Sequence, residues 1–226
     1  MAEVRTTGGA YSVAEVRLAP GERFVSESGA MVRASAGVDV DVTARPKGSG
    51  GVLGSFTRLL GGDSFFMSTY TAEGGPGEVV LAPVMPGEVR AIELDGSRGW
   101  LCAGGSYLAS GPDVLLDTRF QGFRGLFSGE SLFFVAASGR GPLLVSAFGQ
   151  VREMVCDGAL VVDTGHLVAF EDSLEYGITK AGTSWITAWL AGEGFVMRFR
   201  GRGRVLVQSH NPTEFGRSVG PQLPPR

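Results

Sequence analysis

One pattern is written three times in this chain, and that repetition limits its architecture more than any other feature. The runs are GDSFFMSTYTAEGGPGEVVL from Gly62, GESLFFVAASGRGPLLV from Gly129 and GEGFVMRFRGRGRVLV from Gly192. Each opens on a glycine followed by an acid: Asp63, Glu130 and Glu193. An apolar/polar run comes next, then a Gly-rich stretch, then a second run rich in Val and Leu. Two β-rich runs joined by such a stretch predict a hairpin.

A second pattern lies between these. It reads FVSESGAMVRA from Phe24, WLCAGGSYLAS from Trp100 and LVVDTGHLVAF from Leu160, centred on Gly29, Gly105 and Gly165. A glycine inside a strand pattern predicts a bulge or a close backbone approach. Three glycines at equivalent places predict one backbone conformation, with φ above zero, used three times. Asp95-Gly96 and Asp157-Gly158 form matching turns before the second and third copies.

The residues before each opening glycine match as well. Phe56, Leu59 and Leu60 correspond to Phe123, Leu126 and Phe127, and to Ile186, Trp189 and Leu190. Apolar residues at i, i+3 and i+4 share one face of a helical turn, so a short connector helix is expected before each hairpin. The chain therefore divides into β repeats at 1–85, 86–150 and 151–212, followed by a Pro-rich tail at 213–226. A unit of this kind cannot bury its apolar face alone, and packing the copies together solves that problem. The expected fold is all-β: three homologous antiparallel β-sandwich-like repeats in one pseudo-threefold body, with short connector helices.

Composition agrees. Thirty-six glycines among 226 residues far exceed the ~7% of average proteins. Most stand singly between apolar runs, as turns between short strands do. The net charge of −3 gives no global field favouring nucleic acid or anionic lipid. Two cysteines, Cys102 and Cys156, are too few for a disulfide framework and read as reduced, buried, small apolar residues. No basic region precedes an apolar stretch at the start of the chain, so a cytoplasmic location is expected.

Taken together, GESLFFVAASGRGPLLVSAFG, DGALVVDTGHLVAF and AGEGFVMRFRGRGRVLVQSHNP resemble bacterial homologues of altered inheritance of mitochondria protein 24. GGDSFFMSTYTAEGGPGEVVLAP and GWLCAGGSYLAS fit the same family, and the match covers roughly residues 10–212. The resemblance implies a fold like that of the tryptophan RNA-binding attenuation protein and ring-like or trimeric association. Its mitochondrial members are linked to inner-membrane organisation. It brings no catalytic residues.

The residues offer few sites for chemistry. Asp63, Glu130 and Glu193 could converge near a threefold axis and hold a hard cation, but turn acids facing water are the preferred reading. His166 has Ala30 and Ser106 as its counterparts, so a metal or base built on it would exist in one copy only. With His210 as the only other histidine, a zinc or iron site is disfavoured. No nucleophile elbow or dinucleotide-binding fingerprint is present. Arg198, Arg200, Arg202 and Arg204 fall on one face of an extended strand and could meet phosphate. The preferred reading is the solvated tip of the third hairpin, protected against edge pairing. Phe56, Phe120, Phe123, Phe127, Trp185 and Trp189 read first as a cap over each sandwich, then as a subunit interface, then as a membrane-facing tip.

The expectation is a non-enzymatic oligomeric binding or scaffold protein, with a membrane- or stress-associated role left open. It needs no cofactor, and its first partner is itself, as a trimer. Nucleic-acid binding through the arginines, or a metal protein or enzyme built on the repeat acids, are the alternatives.

Overall fold

The computed structural model describes residues 2–43, 67–120, 133–180 and 195–224. The first third of the chain forms β1 (Glu3–Thr7), β2 (Val13–Leu18), β3 (Arg23–Glu27), β4 (Met31–Ala34), β5 (Val38–Thr43), β6 (Met67–Ala72) and β7 (Gly77–Leu81). The second forms β8 (Val89–Asp95), β9 (Trp100–Ala103), β10 (Tyr107–Ser110), β11 (Val114–Phe120) and β12 (Phe133–Ser146). The third forms β13 (Val151–Asp163), β14 (Leu167–Glu171), β15 (Glu175–Lys180) and β16 (Phe195–Gln208), followed by the helix α1 (Pro212–Val219). The described fold is thus predominantly β with one short α-helix, and its named strands pair antiparallel.

Alternation makes these strands. In β2, Ala14, Val16 and Leu18 point inward while Glu15 and Arg17 point toward solvent. Strands β9, β10 and β14 are buried at every residue, because both of their faces are covered.

The Gly-rich runs do not form hairpins. β6 pairs with β3 and β5, whereas β7 pairs with β2 and β4. In the second and third segments the two halves fuse into single strands of 14 residues, β12 and β16. The C-terminal half of β12 pairs with β8 and β10, and its N-terminal half with β9 and β11. β16 repeats this scheme with β14 on its C-terminal half, β15 on its N-terminal half and β13 along its length. The glycines mark a corner where one strand leaves a sheet of the sandwich and enters the other. Gly139 (φ 99), Gly141 (φ 115) and Gly201 (φ 104) supply the bend. A hairpin and a corner use the same residue, because both need a backbone conformation that a Cβ opposes.

The second glycine pattern also resolves differently. Gly29 and Gly105 adopt φ 86 and 79 in tight turns, but Gly165 sits in a 3-10 turn, Thr164–His166, without a positive φ. Gly165 is required there for space, since a Cβ would collide with the Asn211 side chain. The bulges lie further along. Register shifts occur between Met31 and Arg33, between Tyr107 and Ala109, and between Leu167 and Ala169.

The segments join edge to edge. β10 of the second pairs with β3 of the first, and β14 of the third pairs with β9 of the second. Three apolar clusters follow from these joints. Phe24, Tyr70 and Leu81 of the first segment pack with Leu108 and Leu144 of the second. Trp100, Cys102 and Val135 pack with Val168 and Leu206 of the third. Phe170 centres the third cluster, with its ring 5.4 Å from Phe134 and 5.0 Å from Phe199. Each such aromatic, fully buried, contributes about 2–3 kcal/mol.

The tail is not merely Pro-rich. The Asn211 side chain accepts from the Thr213 and Glu214 amides and caps α1, with Pro212 in its first turn. Phe215 packs edge-on against Phe148 at 5.1 Å. The expected connector helices, with Phe56, Phe123, Phe127, Trp185 and Trp189, lie outside the described residues, as do Gly62, Gly129, Gly192, Asp63, Glu130 and Glu193. Phe120 ends β11, and its side chain is outside them too.

Candidate functional site

A cavity of about 290 Å³ opens beside the turn at Gly105, between the end of β3 and the start of β14. Its wall takes Glu27 from the end of β3, Ser106 from the second turn, and Leu167 and Gln208 from the third segment. Met85 and Phe148, from the crossings between segments, supply apolar surface.

Most polar groups here are committed. The Ser106 hydroxyl lies 2.8 Å from the Ala103 carbonyl oxygen and 2.6 Å from that of Val168, tying the second turn to the third segment. The Gln208 amide accepts from the Phe148 N–H at 2.8 Å and donates to the Gly165 carbonyl at 2.9 Å. Beside the cavity, the His166 Nδ1 lies 2.9 Å from the Gln208 carbonyl oxygen. His210 bonds Ser209 at 2.8 Å and stacks at 5.2 Å on Phe148. Both histidines thus serve the junction between the third segment and α1.

Glu27 is the charged group of the wall. Among the described residues no hydrogen bond or ion pair reaches its carboxylate, and burial pushes its carboxyl up to about 7. A desolvated carboxylate without a partner gains from a ligand that can pair with it. The cavity can take a small molecule that offers an N–H, an O–H or a positive charge.

A second charged centre is already complete. Glu171 is buried at the end of β14, where it accepts from Arg204 Nε at 2.7 Å, from the Arg204 N–H at 3.1 Å and from Arg98 at 3.2 Å. The Arg204 guanidinium also lies 5.1 Å from the centre of the Trp100 ring. This cluster clamps the joint between the second and third segments.

The four arginines of β16 stand on a strand corner, not on a hairpin tip. Arg204 holds Glu171, Arg202 holds Asp157 at 2.8 Å, and Arg198 donates to Thr179 at 3.1 Å. Arg200 stands opposite Glu175 in the ladder. Acids therefore face three of the four. The cysteines are buried as expected. Burial pushes the Cys102 thiol up to about 12, and burial together with Asp157 raises that of Cys156. Among the described residues no three His, Cys, Asp or Glu side chains gather as metal ligands, and no helix is long and apolar enough to cross a membrane.

Neither Glu27 nor Glu171 stands out from sequence. A single acid at a strand end reads as solvent-facing until its neighbours are known. Glu171 carried one cue: it ends LVAFE, a run in which every other residue is apolar.

Comparison with known proteins agrees with the architecture. The family model described as mitochondrial biogenesis AIM24 matches residues 4–210. An uncharacterized protein of Streptococcus pyogenes serotype M6 is 30% identical over 220 residues, which cover 95% of this chain and 88% of that one. The crystal structure of protein SPYM3_0169 from Streptococcus pyogenes superposes with a TM-score of 0.82 at 27% identity, covering 99% of this chain and 100% of that one. On the match across nearly its whole length, the chain belongs to the AIM24 family.

Proposed function

We propose that this protein is a non-enzymatic binding and scaffold protein that works as a homo-oligomer. In this reading its three segments are homologous repeats in one pseudo-threefold body, and the cavity at Glu27 receives a small ligand. The observation that carries the reading is that all three segments meet at a cavity whose one charged side chain is a lone carboxylate. Glu27 has a half-buried carboxylate to offer, while Ser106, Gln208 and His166 beside it are held by backbone groups. That arrangement suits recognition. The three equivalent bulges, in β4, β10 and β14, support the repeat, since unrelated segments have no reason to share a register defect.

The arginine corner gives less support to nucleic-acid binding, because the acids facing Arg200, Arg202 and Arg204 cancel much of the field a phosphate backbone needs. Native mass spectrometry of the protein and of its Glu27→Gln variant tests the proposal. The expected result is an oligomer with a reproducible small-molecule adduct that the variant loses. A bare monomer would overturn it, and a nucleic-acid adduct would replace it.

A further inference from the structure

The two internal joints follow one rule. Ala109 and Ser110 of β10 stand opposite Ser26 and Val25 of β3. Ala169 and Phe170 of β14 stand opposite Cys102 and Leu101 of β9. In each joint the strand that follows the turn glycine pairs with the strand before the turn in the preceding segment. Counted from the bulges, Arg33 and Ala34 of β4 hold the positions of Ala109 and Ser110. Counted from the turns, Val161 and Val162 of β13 hold the positions of Leu101 and Cys102.

These last two strands have no such partner. Among the described residues β4 pairs only with β7, and the end of β13 pairs only with β16. Among the described residues one edge of each kind is therefore left open. Exposure marks the vacancy. Val32 is 59% exposed where its counterparts Leu108 and Val168 are 0%. Met31 is 43% exposed where Tyr107 and Leu167 are 1% and 4%. Val161 is 51% exposed where Leu101 is 1%. The same strands are covered wherever a neighbouring segment exists.

We propose that β4 of one copy adds to the 160–163 end of β13 in a second copy, with Ala34 opposite Val161 and Arg33 opposite Val162. The inference deepens the self-association reading above and rests on it. The occupant is a second copy because this chain bears both complementary edges in the register its own joints use. The contact is head-to-tail, so every copy gives one edge and receives one, and a ring of identical joints closes the assembly. Covering Val32, Met31 and Val161 supplies the apolar gain, and the strand ladder supplies direction. Arg33 departs from the rule, since its counterparts are buried alanines, and it forms an ion pair with Glu78. A charge on an open edge discourages pairing with unrelated strands. It also makes this joint weaker than the internal two.

Cysteine cross-linking in the full chain tests the joint. Ala34→Cys and Val161→Cys variants, purified separately, are mixed and oxidised. Residues directly opposite across an antiparallel pair lie within disulfide reach, whereas residues on separate surfaces do not. The expected product is a covalent dimer of the two variants, with little product from either alone. Val155→Cys, exposed on the first half of β13, is the control and should cross-link about tenfold less. Arg33→Ala, which restores the residue of the other two joints, should tighten association several-fold. Val161→Asp should weaken it about tenfold. Cross-linking of the double variant within one chain, with no product between chains, would show that the edges close on each other and overturn the proposal. An oligomer by native mass spectrometry with no cross-link would place the interface elsewhere and leave the scaffold reading standing. A monomer at every concentration would remove both.

Discussion

Arg204 Nε donates to Glu171 Oε1 at 2.7 Å, and the carboxylate it grips is only 2% exposed. Arg204 belongs to the C-terminal half of β16, and Glu171 ends β14, the strand that joins the third segment to the second. The pair therefore reports on the joint. Glu171→Gln should lower unfolding free energy by about 1–3 kcal/mol, because a weaker acceptor leaves two guanidinium groups poorly matched at a buried site. Arg98→Ala should cost less than about 1 kcal/mol, since Arg98 is mostly in solvent. Denaturant titration of both variants checks the ranking, and equal losses would contradict it.

Glu27 predicts a pH dependence. Its ordinary carboxyl value of 4.5 applies to the unfolded chain, while burial lifts the folded value to about 7. The folded protein thus holds this proton more tightly. Stability from this group is present below about 4.5, falls as pH rises toward about 7, and stays lost above it. Glu27→Gln should raise the melting temperature by several degrees at pH 8, a gain on the order of 2 kcal/mol, and change little at pH 4. Melting curves of both proteins across that range decide the matter. A ligand bound at Glu27 in the wild type would narrow the difference.

The thiols give a third test. With Cys102 raised to about 12 and Cys156 also raised, almost no thiolate exists at neutral pH, and both side chains are buried. A disulfide-exchange reagent should label neither in the native protein and both at the rate of unfolding. Fast labelling of Cys156 alone would show that β13 opens locally near Asp157.

The corners give the fourth. At Gly139, φ is 99, and a Cβ would strike the Asp113 carbonyl oxygen. At Gly105, φ is 79, and nothing lies within 4 Å. Gly105→Ala should cost about 1–2 kcal/mol, the strain of a left-handed conformation alone, whereas Gly139→Ala adds a collision and should cost more. Thermal unfolding of both variants measures the gap.

What could be read from the residues follows from which interactions are local. Strand existence and the family are visible because Val, Leu and aromatic runs between glycines mark strands without reference to partners. The corner at Gly139 and Gly141 is not visible as a corner. The partners of the two halves of β12, Leu101 and Ile92 among them, lie far off in sequence, so SGRGP reads as a turn. Gly165 shows the same limit: Asn211, the residue that requires it, lies in another element. The helix α1 was within reach, because Asn211-Pro212 followed by Glu214 is a local start signal, but the prolines around it suggested a tail. Glu27 and Glu171 differ only in what surrounds them, which no short window reports.

The continuous strand β12 also bears on how the chain is made. A ribosome releases the N-terminus first. One edge of β3 pairs early with β6, but its other edge waits for β10, and β9 waits likewise for β14. β12 serves two sheets at once, so neither can close until Ser146 has left the exit tunnel. The last of these strands, β16, ends at Gln208 and supplies the ladder for three others. The nascent protein therefore carries unsatisfied strand edges for nearly its whole synthesis. Until β16 is in place, those edges are open to pairing with a wrong partner.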